Sequence, residues 1–279
     1  MEGIPMNAAT LSVPTLDDVN ETLFYPLIAR YLETNKKDGI LHDPKSAEIL
    51  KGLDYDIAKA KMPLVEGLGI CLRTSIIDNV AKKFMKTNPD GIVVNLGCGL
   101  DTRFSRLDNG RLLWFDLDLP ETIALRKHFF TETSRNRFIA KSALDFSWAE
   151  EIPRGKPTFF IAEGLSYYFT EDENKDLLRT MKTHFPGAEY VFETLHPFFL
   201  KLYKKKESDE HLSSKVSFLI RWGVKSGREL ERWFDGVHFV EEWAVVNTGK
   251  NRFPLAFRLL FCIFPVLTRF TKLIHLRLT

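Results

Sequence analysis

The run Ile92-Val93-Val94-Asn95-Leu96-Gly97-Cys98-Gly99-Leu100-Asp101-Thr102-Arg103 joins a short apolar segment to a Gly-x-Gly turn and an acidic helix start. Glycines in such a turn let the backbone approach a nucleotide-like ligand, because no Cβ blocks the way. A second apolar run, Leu112-Leu113-Trp114-Phe115-Asp116-Leu117-Asp118, ends in carboxylates where an acid commonly accepts from ribose hydroxyls, about 20 residues further on. A dinucleotide needs the helix N-terminus free for its pyrophosphate, and usually a third glycine where Thr102 stands. Asp101 at the expected N-cap puts the protein's own anion there instead. The pattern therefore favours S-adenosylmethionine, which has a ribose diol and no phosphate, over NAD(P). A plain strand-turn-helix corner without a ligand is the remaining alternative.

These residues need a sheet to hold them, and the chain supplies its elements in order. The first 90 residues read as helical: Asp17 or Asn20 caps a helix through Arg30, Pro44 to Leu50 forms another, and Leu64 to Phe84 carries apolar residues at helical spacing. After the turn cluster Thr87–Gly91, strands and helices alternate. Strands are expected at Ile92–Leu96, Leu112–Phe115, Phe138–Lys141, Thr158–Ala162 and Tyr190–Glu193. Helices are expected near Asp101–Leu107, Pro120–Phe129 and Glu171–His184. Such alternation implies an α/β, Rossmann-like fold with a mostly parallel central sheet and a ligand crevice at the carboxyl ends of its strands. The expected division is a helical N-terminal extension or lid, 1–90, and a core, 91–279, with a helical insertion at about 197–235. Within that insertion Ser213–Ile220 and Ser226–Trp233 read as helices; Gly236–Val246 then reads as a strand, and the last 30 residues have no clear placement.

Thirty-nine basic residues against 37 acidic ones give a net charge of +2, which argues against bulk electrostatic nucleic-acid binding. The basic run Lys201–Lys206 reads as a solvated segment. Cys71, Cys98 and Cys262 lie far apart with no Cys-x-x-Cys pair, which fits a reducing compartment and offers no metal signature. No secretory pattern is visible, and a cytoplasmic location is expected. The apolar stretch from Pro254 to Leu267 is broken by Arg258 and Pro265 and falls short of the roughly 20 residues of a spanning helix. It reads as core or as an interfacial segment, with Arg258, Arg269, Lys272 and Arg277 available for headgroups.

With these residues laid out, the chain resembles the leucine carboxyl methyltransferase family, in its branch of small-molecule, tetracenomycin-type polyketide O-methyltransferases. The matching pieces are Asp43-Pro44, Arg73–Asp78, Asn95–Arg103, Asp118–Glu121, Glu163–Phe169, Arg221–Gly223 and Glu242-Trp243, in family order over about residues 17–246. The resemblance implies S-adenosylmethionine as cofactor. It implies that Arg73 pairs with the methionine carboxylate and that Gly97 admits the cofactor against the backbone. Asp118 would accept from the ribose hydroxyls, with Asp116 as the competing acid. Leu144 and Asp145 would meet the adenine, although Asp145 equally suits a helix cap. Glu163 would hold the cationic amino end, and Tyr168 would steer the acceptor unless it is a core tyrosine. Arg221 would in turn pair with an acidic acceptor unless it is a structural arginine stacked on Trp222.

The expected reaction is O-methylation of the carboxylate of a small organic acid. A carboxylate is already ionised at neutral pH, so position and desolvation suffice. A phenol would need a general base, for which Glu193 or His196 is placed. The alternatives from other classes are an NAD(P)-dependent oxidoreductase and a non-catalytic cofactor-binding protein acting through its basic, apolar C-terminal tail.

Overall fold

A computed structural model describes residues 18–52, 62–201 and 220–279. The expected helix Ser213–Ile220 falls almost wholly outside the described residues, as do Asp17 and most of the Lys201–Lys206 run. Three helices come first: α1 (Asp18–Thr34), α2 (Pro44–Gly52) and α3 (Leu64–Thr87). Then follow β1 (Ile92–Leu96), α4 (Arg103–Leu107), β2 (Leu113–Asp118), α5 (Pro120–Arg126), β3 (Asn136–Ala140), β4 (Thr158–Ala162), α6 (Glu171–His184) and β5 (Glu189–Leu195). Residues 197–201 are helical (α7). The chain continues through β6 (Val237–Ala244), α8 (Val245–Thr248), α9 (Leu255–Ile263) and β7 (Thr271–Leu278).

Among the described residues, seven strands form one sheet in the order β3-β2-β1-β4-β5-β7-β6. β1 to β5 are parallel, whereas β7 is antiparallel to both β5 and β6. The chain turns back between β1 and β4, and this switch point opens the crevice at their carboxyl ends. Side chains alternate between two cores, as a period of two requires. Val93, Trp114, Phe159, Ile161, Val191 and Leu273 pack under α3, with Phe261 of α9. Ile92, Val94, Phe115, Phe160, Phe192 and Ile274 face the other way, onto Leu177, Leu178 and Met181 of α6. The start of α6 is fixed by a capping box in which Thr170 accepts from Glu173 N at 3.2 Å while the Glu173 side chain accepts from Thr170 N at 2.6 Å.

Several boundaries differ from the expected ones. β2 runs on through Asp118, so both of its acids lie within the strand. α5 ends at Arg126 rather than Phe129, and β3 spans 136–140 rather than 138–141. α4 starts at Arg103 with Thr102 as its N-cap, and the Asp101 side chain accepts from Arg103 N at 3.0 Å. Beyond residue 219 the insertion is not helical in the expected way. Arg221 and Trp222 both donate their N–H to Tyr167 O, at 2.8 and 3.1 Å, and 227–232 forms a 3-10 turn. The last 30 residues contribute α9 and a strand inside the sheet, so the tail is not a separable appendage.

Candidate active site

The Gly-x-Gly turn leaves β1 with Gly97 at φ +63° and Gly99 at φ +47°, the left-handed region that favours glycine. A Cβ on Gly97 would stand 3.0 Å from Leu165 Cδ1, and one on Gly99 would stand 3.1 Å from Leu23 Cδ2 of α1. The turn's backbone is gripped on all sides. Cys98 N donates to Leu117 O (3.1 Å) and Gly99 N to Asp118 Oδ2 (2.7 Å). Arg126 donates to the carbonyls of Gly99 (3.0 Å) and Asp101 (2.7 Å), and Arg30 to that of Leu100 (3.1 Å).

Around this turn five guanidiniums interleave with six carboxylates: Arg30, Arg73, Arg103, Arg106 and Arg126 with Asp43, Asp78, Asp101, Asp116, Glu163 and Glu193. Arg103, wholly buried, reaches Asp78 (2.6 Å), Glu163 (2.5 Å) and Asp101. Arg73 donates from Nε to Glu163 Oε1 (2.9 Å) and from Nη1 to Glu193 (2.8 and 3.0 Å). Thr74 Oγ1 adds a bond to Glu163 Oε1 at 2.9 Å. Asp43 at the head of α2 holds Arg30 (2.9 Å) and accepts from Thr102 Oγ1 (2.6 Å), so the N-terminal helices are tied to the turn by buried charge. Burial alone would raise the carboxyls of Asp101 and Glu163. Arg103 beside both, with Arg106 near Asp101 and Arg73 near Glu163, overrules it and holds them below the usual carboxylate range. Burial wins at Glu193, where it pushes the carboxyl up against the pull of Arg73.

The expected site residues divide into two groups. Arg73, Gly97, Glu163 and Tyr168 line one cleft of about 150 Å³, together with Leu23, Pro26, Arg30 and Tyr167. Gly164, with φ +71°, is also part of this lining. The place of its missing Cβ is 3.5 Å from Tyr167 Oη, 3.7 Å from Arg73 Nη2 and 3.9 Å from Glu193 Oε2. Burial raises the hydroxyls of Tyr167 and Tyr168, whose rings stand 4.6 Å apart, so both keep their protons. Asp118 is adjacent to the cleft, half-buried, with Oδ1 accepting from Leu119 N at 2.8 Å. Burial raises its carboxyl, against the pull of the Gly99 and Leu119 N–H groups. Leu144 and Asp145 are not among the residues lining the cleft. Asp145 is exposed and caps a 3-10 turn through Ser147 N (3.2 Å), the cap role that its position also allowed.

Asp116 is structural: it is fully buried, paired with Arg126 at 2.7 Å, and accepts from Trp114 Nε1 at 2.9 Å. Burial raises the Cys98 thiol well above its ordinary value, so Cys98 is a small buried residue of the turn. Arg221 is exposed and pairs with Glu173 at 3.2 Å; although its N–H bonds to Tyr167, it is not among the residues lining the cleft, and His196 also lies outside that lining. Sequence reasoning missed Arg103, Arg126, Arg30 and Tyr167. Arg103 and Tyr167 stand inside motifs already singled out, which is the one signal that pointed to them.

The cradle fits S-adenosylmethionine. Two glycines give close backbone approach, acids close β2 and β4, and an arginine faces the space beside Gly164. At the N-terminus of α4, Asp101 accepts from Arg103 N at 3.0 Å, so a carboxylate occupies the place a pyrophosphate would need.

Comparison with known proteins agrees. The leucine carboxyl methyltransferase family model matches residues 7–182. The chain is 30% identical over 234 residues to the tetracenomycin polyketide synthesis O-methyltransferase TcmP of Streptomyces glaucescens, covering 84% of this chain and 85% of that one. It is 28% identical over 256 residues to the S-adenosyl-L-methionine-dependent methyltransferase dpfgK of Gibberella zeae, covering 84% of each. Among solved structures, a DUF574 family protein from Streptomyces avermitilis shares the fold with a TM-score of 0.56 at 12% identity, over 91% of this chain and 97% of that one. The chain belongs to the leucine carboxyl methyltransferase family of S-adenosylmethionine-dependent methyltransferases.

Proposed function

We propose that the protein methylates the carboxylate of a small organic acid, polyketide-like or otherwise of secondary metabolism. The observation that carries this reading is the convergence of Arg73, Glu193 and Tyr167 on the empty side-chain position of Gly164, beside Tyr168 and next to the glycine turn. S-adenosylmethionine supplies, when bound, an electrophilic methyl group on a sulfonium, to be taken in line by the acceptor oxygen. This chain's residues bind and orient. Arg73 holds the methionine carboxylate as a charge-assisted donor, and Glu163 holds the ammonium. Gly97 lets the cofactor lie against the backbone, Asp118 accepts from the ribose hydroxyls, and Leu144 and Asp145 meet the adenine. Six carboxylates against five guanidiniums suit a cofactor of net positive charge. The N-terminal helices act as a lid: Leu23 and Pro26 of α1 wall the cleft and exclude water.

The acceptor reading rests on protonation states. A carboxylate acceptor is ionised at neutral pH and needs no base. Tyr168, which keeps its proton, can donate to such an acceptor and steer it, with Tyr167 beside it. The lining carboxylates Asp101 and Glu163 are engaged with arginines, as is Glu193 beside Gly164, and His196 is outside the cleft, which leaves a phenol acceptor without an evident base. The relative named for tetracenomycin polyketide synthesis supports a polyketide-like acid.

The test pairs aromatic acids with their amides, leaving any ring hydroxyl free, and follows labelled methyl transfer. Methyl esters release methanol in mild alkali and aryl ethers do not. Alkali-labile product from the acids alone is expected; alkali-stable product formed equally from the amides would replace this reading with hydroxyl methylation. Arg73→Gln should weaken S-adenosylhomocysteine binding roughly tenfold or more, the worth of a charge-assisted pair.

A further inference from the structure

We propose that α9 is a membrane-interfacial ridge that seats the enzyme on an anionic lipid surface. The helix Leu255-Ala256-Phe257-Arg258-Leu259-Leu260-Phe261-Cys262-Ile263 is held to the body along one line of rings. Phe261 is buried and lies 5.4 Å from the ring of Phe253 and 6.3 Å from that of Phe257. At 100° per residue, the arc opposite that line carries Leu255, Leu259 and Ile263, flanked by Ala256 and Leu260. Leu255, Leu259 and Ile263 are 66%, 56% and 69% exposed, and the apolar surface runs on through Phe264 and Val266. A solvated helix would present polar residues on that arc. Here the side facing away from the protein is its most apolar.

Shape and charge choose the occupant. Every residue of 254–266 except Phe261 is exposed, so the helix stands proud as a convex ridge rather than forming a groove that would hold a peptide. No Asp or Glu occurs between 243 and 279, whereas Lys250, Arg252, Arg258, Arg269, Lys272 and Arg277 do. Arg252, Lys272 and Arg277 are paired with Asp38, Glu242 and Glu189. Arg258 and Arg269 are exposed, have no ion-pair partner among the described residues and remain to meet headgroups, while Lys250 donates to Cys262 Sγ at 3.3 Å. A second copy fits worse, since a twofold contact through this ridge would set these cations against their own images with no acid between them. The helix is nine residues long and no described helix is long and apolar enough to cross a bilayer, so the contact lies in the interface plane.

The experiment is flotation of the full chain with vesicles of phosphatidylcholine mixed with phosphatidylserine, and with vesicles of phosphatidylcholine alone. Deleting the tail is unsuitable, because β7 belongs to the sheet. Point variants at exposed positions are used instead, with S-adenosylhomocysteine binding as the check that the fold is kept. Wild type should float with the mixed vesicles, less so as salt rises, and Leu259→Glu with Ile263→Glu should lower partitioning roughly tenfold or more. Arg258→Gln with Arg269→Gln should erase the preference for the anionic vesicles while leaving some apolar affinity. Absence of wild-type binding to either vesicle, or equal binding by the glutamate variant, overturns the proposal. So does a wild-type dimer in sedimentation that the glutamate variant turns into a monomer, for then a second copy covers the ridge. The outcome does not depend on which acceptor is methylated.

Discussion

The two sides of the cleft are built on opposite plans. On the β4 side, Arg73 bridges Glu163 and Glu193, and Arg103 bridges Glu163, Asp78 and Asp101, so that the buried charges form one connected lattice. On the β2 side, Asp118 and Asp145 are held one at a time by nearby backbone N–H groups. A shared lattice of buried charge fixes geometry before any ligand arrives, but the loss of one member strands the rest. Locally held acids leave their neighbours intact when removed. The contrast predicts a steep gradient of mutational cost across a single cleft.

Arg103→Met tests the steep end. It leaves Asp78, Asp101 and Glu163 without their central cation and should cost roughly 3–5 kcal/mol of unfolding free energy in urea titration. A cost under about 1 kcal/mol, the scale of a surface pair, would mean the lattice is not coupled. Asp118→Ala should cost less stability but roughly 1.5–3 kcal/mol of S-adenosylhomocysteine affinity by calorimetry. Unchanged affinity would free Asp118 from the ribose role and leave it as the clamp of Gly99 N.

Acidity separates the two sides further. Glu163 is held below the unfolded glutamate value of about 4.3, so its contribution is present above that pH and is lost as pH falls through the lowered folded value. The stability gap between wild type and Glu163→Gln should therefore close only below the ordinary carboxylate range. Asp118 is shifted the other way by burial, so its ionised form weighs against folding at neutral pH. The gap between wild type and Asp118→Asn should change above that range, as pH falls through the raised value. Coincident windows for both variants would dissolve the distinction. Smallest of all should be Asp145→Ala, which removes an exposed cap. Its effect on cofactor affinity should fall short of that of Asp118→Ala, and an equal effect would place adenine contact at Asp145 on the same footing as the ribose.

The same contrast governs what the sequence discloses. β1, β4 and α6 have the expected boundaries, because continuous buried runs and a capping box are local signals. Gly97, Arg73 and Glu163 were visible within short motifs, and the structure brings them to one cleft. The partners of Arg103 and Arg126 were not, since Asp78, Asp116 and Glu163 come from other elements and no spacing announces which buried arginine meets which acid. β7 was hidden because it follows the apolar α9, and because His275, at a position facing the sheet, finds Glu189 of β5 at 2.8 Å. Pairing of that kind is settled by topology rather than by periodicity.

The position of β7 between β5 and β6 sets the order in which the sheet can be assembled. β6 is made before β7, yet among the described residues it has no other neighbour in the sheet and must wait for residues 271–278. A chain interrupted before them would carry two open edges at once, the outer side of β5 and the whole of β6, with their N–H and C=O groups unpaired. In the finished chain a single strand, β7, covers both the outer side of β5 and the inner side of β6.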